Sequence, residues 1–136
     1  MSDLDATLAA AASGMRAQTT RMRIAAENVA NANSTGADAT QEPFRRRIPL
    51  LESTTLSGNV QGVRVRGART DPTEFRREYN PSHPAADESG YVRLPNVDTL
   101  VEMMDMRDAT RAYEANLNMI EAARAMTNRA LDLLRR

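Results

Sequence analysis

Leu8, Met15, Met22 and Val29 recur every seven residues near the start of the chain, and Met106, Tyr113, Ile120, Thr127 and Leu134 do so near its end. A sustained seven-residue apolar repeat is the period of a helix that presents one narrow seam to another helix. Leu4, Ala11, Gln18 and Ala25 fill the second seam position of the first repeat, and Ala109, Leu117, Ala123, Ala130 and Leu131 flank the second. Long amphipathic helices take most of their stability from packing rather than from propensity, so the two terminal stripes are expected to pair. An Ala-lined seam lets the helices approach closely while removing little area per residue from water. With aromatics at 4% and no Trp, little else is available to build a large core. The isolated chain is therefore expected to be marginal, with its order completed by neighbouring copies.

The ends of both helices are marked. Ser2 or Asp3 can cap the first, and Asp3 and Asp5 suit the positive end of its dipole. From residue 3 to 30 it would run about 40 Å at the helical rise, ending in the Asn-rich stretch Asn28, Asn31, Asn33 and then Ser34-Thr35-Gly36, residues that favour turns. The second follows Pro95 and Asn96, carries Asp98 and Glu102 in its early turns and closes on Arg135-Arg136. Asp108 with Arg111, and Glu121 with Arg124, sit three apart and would support its exposed face.

Between the helices the pattern changes. Val63-Arg64-Val65-Arg66 and Tyr91-Val92-Arg93-Leu94 alternate with period two, and Ile48 to Leu51 is a short apolar run interrupted by Pro49. Gly58, Gly62, Gly67, Pro72 and Pro81-Ser82-His83-Pro84 punctuate these pieces. The expected fold is mainly α: residues 1–36 and 95–136 supply long helices that pair as a coiled coil, and residues 37–94 form a small irregular, β-containing insert.

Reactive chemistry is sparse. The chain has no Cys, so thiolate metal sites and disulfides are ruled out. His83, the only histidine, lies between Ser82 and Pro84 in an expected turn without the partners a metal site needs. Glu102, Asp105 and Asp108 are spaced three apart and read more simply as a solvated helix face than as an acid/base group, since no pocket is evident to hold a substrate. No Gly-rich phosphate loop or nucleophile elbow is present. No catalytic, cofactor or metal residue is therefore assigned, and no enzyme activity is expected.

Eighteen basic residues, every one an Arg, balance eighteen acidic ones, so no field built for nucleic acid is evident. The arginines of Arg45-Arg46-Arg47, with Arg64, Arg66, Arg69, Arg76 and Arg77, are expected to pair with carboxylates of adjacent subunits. No run is long enough to span a bilayer. The start of the chain also lacks the basic flank of a cleaved secretion signal, so any export would use a route that does not read one. A soluble coiled-coil adaptor or export chaperone shares these helices and is the alternative to a polymer subunit.

Two strings carry a specific resemblance. Asn28-Val29-Ala30-Asn31-Ala32-Asn33-Ser34-Thr35-Gly36 resembles the Asn-rich motif that closes the first helix in the flagellar rod and hook protein family. Tyr79-Asn80-Pro81-Ser82-His83-Pro84-Ala85-Ala86-Asp87, then Gly90-Tyr91 through Pro95-Asn96-Val97-Asp98, then Glu102-Met103 and Arg111-Ala112-Tyr113-Glu114-Ala115-Asn116, closely resemble the proximal-rod branch of that family. The Pro43-Phe44-Arg45-Arg46 element and the length agree. The resemblance implies a subunit exported through the flagellar type III apparatus and assembled, with other copies and other rod proteins, into the periplasm-spanning rod of the basal body. Its terminal helices would form the inner tube of a hollow drive shaft that transmits torque and conducts exported subunits. The interface residues expected are Leu4, Leu8, Met15, Met22 and Val29 on the first helix and Met106, Tyr113, Leu117, Ile120, Leu131 and Leu134 on the second. One departure stands out: Ala37 follows Gly36 where relatives often carry an aromatic residue.

Overall fold

A computed structural model describes residues 2–136. Helix α1 runs Asp3–Ala30 and helix α2 runs Thr99–Leu134. Between them lie strands β1 (Arg47–Thr55), β2 (Gln61–Thr70), β3 (Arg76–Tyr79) and β4 (Tyr91–Leu94).

Helix α1 begins in a capping box. The Asp5 N–H donates to Ser2 Oγ at 3.2 Å and the Ser2 N–H donates back to Asp5 Oδ2 at 3.3 Å, which satisfies two amide donors the first turn leaves free. It ends at Asn31, whose side chain donates to the Glu27 carbonyl at 2.8 Å. Helix α2 starts at Thr99, three residues beyond Asn96: Asp98 is its N-cap rather than a first-turn residue, accepting from the Leu100 N–H at 3.0 Å.

The two helices pack as an antiparallel pair, with Gly14 beside Asn116, Met22 beside Thr110 and Asn28 beside Glu102. Thr110 Oγ1 lies 3.4 Å from Met22 Sδ. The line closest to the partner helix is built from small and polar side chains. On α2 it is Glu102, Ala109 and Ala123, buried at heptad spacing with half-buried Asn116 between them; on α1 it includes Ala11, Gly14, Ala25 and Asn28. The larger residues of both repeats, Leu8, Met15, Met22 and Val29 with Met106, Tyr113 and Ile120, are half-buried along its flanks, while Leu117, Leu131 and Leu134 are exposed. Small residues win the centre because they let the backbones close in: a Cβ on Gly14 would come within 2.6 Å of Asn116 Nδ2.

The insert is two separate two-stranded antiparallel ribbons, β1–β2 and β3–β4. Strand β1 runs straight through Pro49, which costs no ladder bond on the open side of a two-stranded ribbon, and a bulge between Leu50 and Leu51 shifts the register. The ribbon turns at Gly58 and Asn59, both at positive φ (70° and 63°). It leans on α1, where Ser13 Oγ accepts the Val63 N–H at 3.1 Å and Gly62 makes room for that hydroxyl. Strand β3, Arg-Arg-Glu-Tyr and fully exposed, has no alternation to announce it and exists because β4 offers it a ladder.

Candidate assembly interface

Where the Asn-rich end of α1 meets the start of α2, a buried polar clasp joins both helices to the insert. Glu102 is 2% exposed and accepts from Asn28 Nδ2 at 3.2 Å and from Arg46 Nε. Arg46 also reaches Asp71 and Asp105, each at 3.4 Å, and its N–H donates to Asn96 Oδ1 at 2.7 Å. Asn28 completes the junction by bonding Arg47 in both directions, donating to its carbonyl at 2.8 Å and accepting its N–H at 3.0 Å. Asn96 Nδ2 donates to the Asp71 and Thr73 carbonyls at 3.0 and 3.1 Å. A buried carboxylate is tolerated only when paired and hydrogen-bonded, and both conditions hold here.

Burial works against the Arg46 charge, but the hydrogen bond and charge of Glu102, with Asp71 and Asp105, outweigh it and raise its pKa further above the usual arginine value. Asp71 is held below the usual carboxylate range, first by the Thr73 backbone N–H at 2.9 Å and hydroxyl, then by Arg46. Glu102 thus leaves the solvated face expected for it, whereas Asp108 is exposed and Asp105 half-exposed.

Most of the basic middle is likewise used within the chain, not held free for carboxylates of other subunits. Arg45 Nη1 donates to the Asp71 and Thr73 carbonyls at 3.0 Å and stacks over Phe75 at 4.2 Å. Arg76 donates to the carbonyls of Pro95 and Ala32 at 3.1 and 2.8 Å, tying β3 to the ends of both helices. Arg93 spans to the Ala39 and Gln41 carbonyls at 3.2 Å, and Arg64 pairs with Glu52 at 2.6 Å. Among the described residues, Arg69 and Arg77 keep no such partner, and the expected pairs Asp108–Arg111 and Glu121–Arg124 do not close.

The motif Tyr79-Asn80-Pro81-Ser82-His83-Pro84 to Tyr91 is the connection between β3 and β4, and its residues serve one another. The His83 N–H donates to the Asn80 carbonyl at 3.1 Å, and His83 Nδ1 accepts the Ala85 N–H at 3.0 Å. Asp87 accepts the N–H groups of Ser89 and Tyr91 at 2.9 and 3.0 Å. Gly90 holds φ +84° under Tyr79, whose ring meets that of Tyr91 edge-on at 5.3 Å. A side chain at Gly90 would enter the Tyr79 ring, so that position requires glycine on two counts. Pro95 and Val97 are buried beside this unit. Of the other motif residues, Asn31 and Asn80 are half-buried, Asn33, Pro81 and Pro84 are exposed, and Gly36 is half-buried in the turn after α1. His83 is spent on backbone geometry.

The apolar surface lies elsewhere. Leu100, Val101, Met103, Met104, Met119, Met126, Leu131, Leu133 and Leu134, all on α2, are exposed, Leu134 by 83%. Exposed apolar rows of this extent mark a contact surface. No described helix is long and apolar enough to cross a membrane.

A helical hairpin locked at one end, carrying two ribbons and baring apolar side chains along its longer helix, defines a structural subunit of an assembly. Residues 88–133 match the family described as flagellar basal body rod FlgEFG protein C-terminal. Across 137 aligned residues, 99% of this chain and 98% of the relative, the chain is 43% identical to the flagellar basal-body rod protein FlgC of Agrobacterium fabrum. It is 40% identical to that of Aquifex aeolicus, covering 97% of this chain and 98% of the relative. With that of Bacillus subtilis it shares 35%, covering 93% and 95%. The chain belongs to the flagellar basal-body rod protein FlgC family, and it is a structural subunit of the flagellar basal-body rod.

Proposed function

We propose that residues 1–36 and 95–136 act as one helical unit, packed seam to seam as a coiled coil, and that residues 37–94 are carried on it as an insert. Copies of this unit and of other rod proteins stack side by side into a hollow helical shaft. That shaft transmits torque and leaves a channel for exported subunits, and the work is mechanical, with no reaction to catalyse. The chain reaches its place through the flagellar type III export apparatus without a cleaved signal. The observation that carries this reading is the set of apolar side chains left bare along α2, Met103, Met104, Met119, Met126 and Leu133, each at least half exposed. In water such side chains have a standing drive toward burial of about 25 cal/mol per Å². The half-buried Leu4, Leu8, Met15, Met22, Val29, Met106, Tyr113 and Ile120 and the exposed Leu117, Leu131 and Leu134 extend that interface along both helices.

The test is Met119→Asp together with Met126→Asp. Both side chains are exposed, so the hairpin is expected to fold, with an unchanged circular dichroism spectrum and continued secretion. Rods and motility are expected to be lost. Normal rods from this variant would refute the reading.

A further inference from the structure

The Asn-rich end of α1 and the β3–β4 connection meet in space, away from the helical seam. Arg76 Nη2 donates to the Ala32 carbonyl at 2.8 Å and so pins the turn after α1 against β3. Between that turn and the β3–β4 ribbon lies an open pocket of about 220 Å³. Asn33 and Thr35 line it from the turn, and Glu78, Asn80 and His83 line it from β3 and its connection to β4. Val92 and Leu94 of β4 supply its apolar wall. Much of the hydrogen-bonding capacity of these side chains is left over. Among the described residues, the Asn33 carboxamide, the Thr35 hydroxyl and the Glu78 carboxylate bond to nothing within the chain. Asn80 uses only its carboxamide oxygen, which accepts the Ser82 hydroxyl at 3.0 Å, and keeps both amide protons. His83 spends Nδ1 on the Ala85 N–H at 3.0 Å, so in the neutral ring the proton sits on Nε2, a donor without a partner.

This inventory selects a ligand. No arginine lines the pocket and the Glu78 carboxylate repels anions, which disfavours phosphate, sulfate and carboxylate groups. One carboxylate and one imidazole are too few for a cation, and among the described residues no three potential metal ligands gather. A peptide strand finds no ladder on β4, which has β3 on one edge and Ala86 bridged to Val92 on the other. What remains is a neutral group rich in hydroxyls. Each hydroxyl is donor and acceptor at once, and so can use carboxamide, carboxylate and imidazole partners together. We propose that this pocket binds one uncharged sugar unit of a glycan, its hydroxyls bonded by Asn33, Thr35, Glu78, Asn80 and His83 and its C–H face laid on Val92 and Leu94. Sites that enclose drug-sized ligands run to about 300–1,000 Å³, and the smaller volume here suits a single ring. With so few atoms in contact, a lone sugar should bind in about the millimolar range.

The test is a titration of the purified, isotope-labelled chain with glucose, mannose, galactose and N-acetylglucosamine, followed through its backbone amide resonances. At least one of these sugars is expected to give saturable shifts confined to the amides around Asn33, Thr35, Asn80, His83 and Val92. Thr35→Val combined with Glu78→Gln removes a hydroxyl and a charge that hold nothing else in the chain. That variant should keep a folded spectrum while its affinity for the sugar falls about tenfold or more. Failure of all four sugars to move those amides would overturn the proposal, and so would sugar binding that the double variant leaves unchanged. Shifts at the same amides with inorganic phosphate, or with the capped residue N-acetyl-alanine-methylamide, but not with sugar would overturn it as well, by marking an anion or a peptide site. None of these outcomes bears on rod assembly, which Met119→Asp with Met126→Asp tests separately.

Discussion

Among the described residues Arg46 is the only cation that touches Glu102, and replacing it by Met removes that contact. The carboxylate is 2% exposed and would keep a single donor, Asn28 Nδ2 at 3.2 Å. Removing one partner of a buried pair costs about 3–5 kcal/mol, because the remaining charge stays desolvated without compensation. The Arg46 side chain is 21% exposed and Asn28 remains in place, so the loss should fall near the lower end, about 3 kcal/mol. Against a total stability of about 5–15 kcal/mol that is a large fraction. With a urea m-value of about 2 kcal/mol per M, the unfolding midpoint should drop by about 1.5 M. Arg46→Met combined with Glu102→Met removes both charges and keeps the volume, and should return to within about 1 kcal/mol of the parent. The assay is urea unfolding followed by helical ellipticity, at one low protein concentration so that association does not contribute. A single variant within about 1 kcal/mol of the parent, or no recovery in the double variant, would refute the claim that the clasp is a buried, mutually dependent pair.

Two further outcomes follow from the same geometry. The folded-state pKa of Asp71 lies below its unfolded value, so its contribution is present above the ordinary carboxylate range near pH 4 and is lost as pH falls through the folded value. Asp71→Asn should accordingly flatten the fall in urea midpoint between pH 5 and pH 3, at about those values, while an unchanged slope would contradict the role given to Asp71. Gly14→Ala drives a methyl to 2.6 Å from Asn116 Nδ2, the far end of a side chain that can give way. The cost should be about 1–2 kcal/mol, and Asn116→Ala in the same chain should recover most of it.

The helices were legible because their period and their caps agreed: Ser2 with Asp5, and the Asn-rich end at Asn31, fall at the observed ends of α1. Strands β2 and β4 were legible through alternation and β1 only as the short apolar run Ile48 to Leu51, while β3 was not legible, since Arg76-Arg77-Glu78-Tyr79 has no apolar face and its structure comes from a partner. The heptads of large residues located the helix pair but not its centre. That line is Glu102, Ala109, Asn116 and Ala123, whose small or polar side chains score poorly on any apolar pattern and are placed there by close backbone approach. The clasp was invisible for a related reason. Arg46 and Glu102 are 56 residues apart, and nothing local to either says that the other will be buried against it. The resemblance pointed to Asn28, Asn96 and Glu102, and the structure supplies their physical role: they join the two helices to the insert.

Amide hydrogen exchange at α2, compared between the purified monomer and isolated rods, reads out whether α2 is the surface on which the subunit assembles. Residues Met119 to Leu134 have exposed side chains, apart from Ile120 and Ala123, and little tertiary cover in the single chain. They should exchange readily in the monomer and become strongly protected in the rod, while the clasp around Glu102 is protected in both. Equal exchange of that stretch in monomer and rod would show that α2 is not the surface on which the subunit assembles.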